Sequence, residues 1–350
     1  MSVHVLHLAD EEPTFSSELG TMTVGDKNNF PVLDTMSIAR ITLAPGAFRE
    51  PHWNVAANAL GYCTAGRLLV TIFHTGNQHS IFVLDPGQMF FVPAGALHTV
   101  ENLAHEEAAF IVTYSKNVNE GFGLSGSVGT FTRGVIGNTL GLPAEKLPKE
   151  MISQARDLVI GRVDGEAHVP HHAEFGNPYK FAVEEVPSQL QTEGGSAKFA
   201  RADTWPTLDG LSMYSLYFNG VGMREPHWHP ITSELGFILE GHGRMSVRNP
   251  GADSFDTYTL APGDIYYMPR SYPHHIENLD ETQTHFAVFF DRSTPNDIGF
   301  TGSLSSVARR ILAPTLGVRE ADLPTIRDVP VDLMFVEKTN PLDPVTPQEG

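Results

Sequence analysis

The sequence predicts an all-β protein built from two tandem copies of one small sandwich or barrel. Three observations carry this. From Asn29 onward, short apolar segments recur at about ten-residue spacing between Gly/Pro turns. Turn formers are abundant, with 32 Gly and 25 Pro in 350 residues. The same text then returns about 175 residues downstream, an offset steady enough to mean duplication of a whole domain.

In the first copy, 30–47 reads as a strand ending in a Pro-Gly turn, and R-E-P-H-W (49–53) enters the next strand. G-R-L-L-V-T-I-F (66–73) and H-S-I-F-V-L (79–84) form a hairpin. D-P-G-Q-M-F-F-V-P-A-G-A-L-H-T-V-E-N (85–102) gives turn, strand and turn, and A-A-F-I-V-T-Y (108–114) closes the series. In the second copy R-E-P-H-W recurs at 224–228, P-G-D-I-Y-Y-M-P (262–269) answers P-G-Q-M-F-F-V-P (86–93), and P-H-H-I-E-N-L (273–279) answers L-H-T-V-E-N-L (97–103). Apolar residues at helical spacing follow each copy (Phe131, Val135, Ile136; Val307, Ile311, Leu312), predicting short helical tails. The implied division is an N-terminal arm (1–26), a first domain (27–150), a linker (151–195), a second domain (196–327) and a Pro-rich tail (328–350), extended or mobile.

Composition excludes several function classes. A net charge of −18 argues against nucleic acid or an anionic membrane as partner. No apolar run approaches the roughly 20 residues of a membrane span, and the N-terminus lacks the basic and apolar regions of a signal peptide, so a cytoplasmic protein is expected. The single cysteine, Cys63, rules out an internal disulfide and reads as a buried, inert thiol. His168, His171 and His172 cluster in the linker, but Pro170 interrupts them and a polar connector is the simpler reading.

The chemistry concentrates in M-R-E-P-H-W-H-P-I-T-S-E-L-G-F-I-L-E-G (223–241). His227 and His229, one residue apart, face the same way on a strand. Glu234 stands an odd number of residues beyond His229, so a bulge or turn between Pro230 and Ser233 must re-aim it. His274 arrives one hairpin later, with His275 facing oppositely. Three imidazoles and a carboxylate suit a divalent first-row metal. The competing reading, a polar core without metal, would leave costly buried groups poorly paired. In the first copy His52 and His98 persist, but Asn54 and Ala59 replace the second His and the Glu. That copy is expected to bind metal weakly or not at all.

These motifs resemble those of the bicupins, and within them the oxalate decarboxylases. H-x-H-x4-E-x6-G is filled by His227, His229, Glu234 and Gly241, and G-x5-P-x-G-x2-H-x3-N by Gly263, Pro269, His274 and Asn278, with Ser271 at the usual Gly. The resemblance covers roughly 25–145 and 195–325. It implies two tandem cupin (double-stranded β-helix, jelly-roll) domains and one ion, Mn with Fe, Ni and Zn as alternatives, held by the four residues of the second. It implies a small carboxylic acid substrate with O2 assisting, giving CO2 with formate or peroxide, and a homo-oligomer. Arg224 is then the residue that polarises the bound carboxylate. The family's Ser-Glu-Asn-Ser lid is absent, leaving Glu120 and Asp297 as candidate proton donors. Two further readings stand beside this one: a cupin dioxygenase or isomerase acting on a larger organic acid, and a non-enzymatic binding or storage bicupin.

Overall fold

Alternating burial explains the strands that carry the repeated motif. Ala47–Asn54 and Gly222–Trp228 each bury every second residue or so, His52 and His227 included, and leave their neighbours part-exposed. Ala108–Tyr114 and Thr284–Phe290 are buried along their whole length, as continuous apolar runs covered on both faces should be. The structure, a computed structural model, describes residues 3–152, 156–165, 168–251, 255–329 and 332–340.

The chain divides into two units, one comprising Asp10–Glu185 with Trp205–Leu211, the other the N-terminal residues to Ala9, Val186–Thr204 and Ser212 onward. Each unit is a pair of antiparallel sheets. In the second, one sheet runs Val5–Leu6, Ile265–Met268, Glu234–Glu240, Thr284–Phe290, Ser212–Phe218, Gly195–Ala200, Leu190–Thr192. The other runs Phe255–Leu260, Gly243–Arg248, His274–Asn278, Gly222–Trp228, Ile298–Gly299. The first unit repeats this layout. Among the described residues neither unit closes into a hydrogen-bonded ring, so the expected barrels are two-sheet jelly rolls with open ends. Between the sheets lie apolar cores, with Phe82, Phe90 and Phe110 in the first unit and Phe218, Phe286 and Phe290 in the second.

The segment boundaries differ from the sequence division, for one physical reason. Ile160–Arg162, in the expected linker, pairs with Ala47–Asn54, and Phe335–Glu337, in the expected tail, pairs with Gly222–Trp228. Ile160 and Phe335 are 2% and 3% exposed and belong to the two cores, so burial ties each segment down as a strap. The start of the N-terminal arm is likewise held, by pairing of Val5–Leu6 with the Ile265–Met268 strand of the second unit. Residues 341–350 of the expected tail lie outside the described residues. The helical tails form at Leu124–Gly129 and Arg133–Leu140, and at Phe300–Ser306 and Arg309–Thr315.

Candidate metal centre

His227 and His274 face one another across the Gly222–Trp228 and His274–Asn278 ladder, where the register slips between Arg224 and His227. His229 follows the end of that strand. The chain then crosses to the opposite sheet, and Glu234 opens the strand Glu234–Glu240. The re-aiming expected between Pro230 and Ser233 is this crossing. Ser271, at the position where the motif usually carries Gly, adopts φ 66°, as Gly95 does at φ 75° in the first copy. Its amide donates to the His229 carbonyl at 2.9 Å, tying the turn before His274 to the ligand loop.

All four side chains are buried, and one ligand atom from each lies within 4.8 Å of every other. Backbone carbonyls dictate the imidazole tautomers. Nδ1 of His227 lies 2.8 Å from the Glu225 oxygen, Nδ1 of His274 2.8 Å from Tyr272, and Nδ1 of His229 3.2 Å from Asn296. A carbonyl only accepts, so each Nδ1 carries a proton, and each ring when neutral offers its Nε2 lone pair inward. Nε2 of His274 is buried and meets no full hydrogen bond, its near neighbour being Oε2 of Glu234 at 3.4 Å. Nε2 of His229 lies 2.8 Å from Oε2 of Glu234, a contact satisfied by a proton on that nitrogen or by a metal ion shared between the two.

The electrostatics agree. Burial, then the neighbouring Arg224, His274 and His229, push His227 well below the ordinary imidazole range and keep it neutral. Burial alone would raise the Glu234 carboxyl, but the positive charge and N–H donation of protonated His274 and His229 outweigh it and hold it below the usual carboxylate range, a charge that a bound cation would supply in their place. Tyr266 donates to Oε1 of Glu234 at 2.5 Å and, buried beside that charge, stays protonated. One carboxylate oxygen is thus anchored and the other left for the cluster. Sequence reasoning missed Tyr266. The signal available was Tyr266 in the second copy against Phe90 in the first, matching Glu234 against Ala59.

Arg224 is 3% exposed and faces the same cavity, its Nη1 donating to the Met334 carbonyl at 2.9 Å and its Nη2 paired with Asp297. Arg224 and Asp297 are therefore brought together beside the cluster. Glu120 is not: it belongs to the other unit and is exposed, while its neighbours Asn119 and Gly121 line that unit's cavity. His275 points away from the cluster and meets Glu277 at 3.3 Å. His168, His171 and His172 are exposed, and among the described residues they join no metal-ligand group. The Cys63 thiol, pushed up to about 12 by burial, is inert.

The straps bring residues that the sequence reading left in linker and tail onto the two motif arginines. D-L-V-I (157–160) and D-L-M-F (332–335) keep the 175-residue offset of the duplication. Val159 and Met334 both have positive φ, 64° and 55°, and both turn their carbonyls onto the motif arginine, Arg49 and Arg224, each at 2.9 Å. Met334 also lines the cavity at the cluster, which measures about 10 Å³.

Comparison with known proteins places this architecture. The Cupin model matches residues 6–146 and 182–322. The oxalate decarboxylase OxdC of Bacillus subtilis is 25% identical over 279 residues, covering 75% of this chain and 69% of that protein. A probable oxalate decarboxylase of Arthroderma benhamiae is 24% identical over 264 residues, 73% of this chain and 64% of that one. A solved structure of the Bacillus subtilis enzyme concerned with its Mn(II) centres superposes with a TM-score of 0.81 at 20% identity, covering 96% of this chain and 89% of that chain. No described helix is long and apolar enough to cross a membrane. Carrying two copies of the domain, the chain belongs to the cupin family.

Proposed function

We propose that the chain is a metal-dependent bicupin enzyme that acts on a small carboxylic acid at the cluster of His227, His229, Glu234 and His274, with oxalate as the leading substrate and Mn as the leading metal. The observation that carries this is the convergence of the donor set: three imidazole nitrogens and one carboxylate oxygen, all buried, lie within 4.8 Å of one another. Nitrogen and oxygen donors of this kind fit Mn, Fe, Ni or Zn, and the Mn(II) centres of the structurally similar Bacillus subtilis enzyme favour Mn. Bound there, the ion would supply Lewis-acid polarisation of a carboxylate and a centre for O2.

This chain's own residues do the rest. Arg224 receives the substrate carboxylate in a charge-assisted pair and orients it. Asp297, its present partner, is the nearest acid to hold or move a proton. Loss of CO2 from the oxalate monoanion breaks the C–C bond and delivers that proton to carbon, giving CO2 and formate. A cavity of about 10 Å³ holds at most one water, so substrate entry requires Arg224 to leave Asp297 or the Met334 strap to move. The intact donor set weighs against a storage protein. Exposed apolar side chains on the helical tails, Phe131, Val135 and Leu140 among them, fit self-association, which sedimentation would measure.

The test is purified, Mn-loaded protein assayed under air with oxalate for CO2, formate and peroxide. Turnover abolished by Arg224→Ala supports the proposal. A fully metal-loaded protein that turns over neither oxalate nor other small carboxylic acids refutes it.

A further inference from the structure

The first cupin has not simply lost its ligands; its interior has been refurnished. Strand register equates Ala59 with Glu234, Phe90 with Tyr266 and Tyr114 with Phe290. The acid and the phenol that anchors it are gone together, and a phenol stands where the second copy has Phe290. The result is a cavity of about 160 Å³ whose polar walls are Arg49, His52, Asn54, Tyr114, Asn119 and Asp157.

These walls have hydrogen-bonding capacity to spare. Asn119 donates to Oδ1 of Asn54 at 2.9 Å, leaving the Asn54 amide nitrogen and the Asn119 oxygen buried without partners. Asn54 is 2% exposed. Exchanging nitrogen and oxygen in both amides leaves the same surplus, one NH2 and one C=O. Nδ1 of His52 lies 2.7 Å from the Glu50 carbonyl, so its Nε2 is an acceptor, and burial keeps the ring neutral. Arg49 spends one nitrogen on the Val159 carbonyl and lies 3.9 Å from the buried Glu50, with Asp157 also on the wall.

This inventory selects a ligand class. Bare acceptors call for O–H groups that a carboxylate lacks, and bare donors call for oxygen. The carboxylates of Glu50 and Asp157 answer the charge of Arg49 and oppose a second anion, while Arg49 opposes a metal cation. We propose that the cavity is a metal-independent binding site for a small uncharged polyol, a triol or tetritol. A void of about 150 Å³ accepts a guest the size of benzene, so the bulk is right.

The experiment is titration of the full-length, Mn-loaded protein with erythritol, read by the side-chain amide resonances of Asn54 and Asn119. Saturable shifts confined to the first cupin, weakened at least tenfold in Asn54→Ala, are expected. Asn119→Ala serves as the second variant should the first misfold. Three results overturn the proposal: no saturable response to glycerol or erythritol, tighter binding of oxalate than of erythritol at this cavity, or a second tightly held Mn that broadens the His52 signals.

Discussion

Replacing Tyr266 by Phe removes one oxygen and nothing else from the centre. In the native arrangement that oxygen donates to Glu234 at 2.5 Å from a fully buried ring. A hydrogen bond to a charged group contributes about 1.5–3 kcal/mol. Loss of a partner that orients a metal ligand lowers metal affinity about 10–100-fold, which is about 1.4–2.7 kcal/mol, so the two estimates coincide. Competition against a chelator should therefore show Mn binding to Tyr266→Phe weakened by one to two orders of magnitude, with far-UV circular dichroism unchanged. The first copy provides the internal comparison, because Phe90 there accompanies Ala59. Adding Glu234→Ala to Tyr266→Phe should cost less than the sum of the single changes, since the phenol has no acceptor once the carboxylate is gone. Unchanged Mn affinity in Tyr266→Phe would mean that Glu234 is not a ligand held in place through its second oxygen.

The first cupin should impose an acid limit. Burial lowers the His98 pKa to about 4, against about 6.5 when unfolded. The unfolded chain binds the extra proton, so this contribution is complete above about pH 6.5 and falls by about 3 kcal/mol as pH drops to 4; denaturant titrations across that range should show the slope, reduced in His98→Gln. Phe335→Ala should destabilise the second cupin by about 3–5 kcal/mol, because the ring is 3% exposed in its core, and denaturation curves measure this. Cys63, fully buried, should react with thiol reagents at the rate of unfolding; fast labelling of native protein would contradict its placement.

Much of this was legible because duplication prints the same physics twice. The motif strands, the Pro-Gly turns and the convergence of His227, His229, Glu234 and His274 follow from side-chain alternation and repeated spacing. The straps were not read because each is a short strand behind a Pro- or Gly-rich stretch, and a three-residue strand has no periodicity of its own. Only the coincidence of D-L-V-I with D-L-M-F across the repeat marks them. Asn119 and Glu120 stand between strands, where no periodicity says which residue turns toward that unit's cavity; Asn119 does. Strand spacing is the same in a ring and in a sandwich, so the sequence left both open and the sheet pairing decides for the sandwich.

The most direct measurement is elemental analysis of the purified protein combined with anomalous diffraction at the Mn absorption edge. One ion per chain is expected, in contact with Nε2 of His227, His229 and His274 and with Oε2 of Glu234. An ion bound beside His52 and His98 instead, or Mn-saturated crystals with no ion at the second cupin, would contradict it.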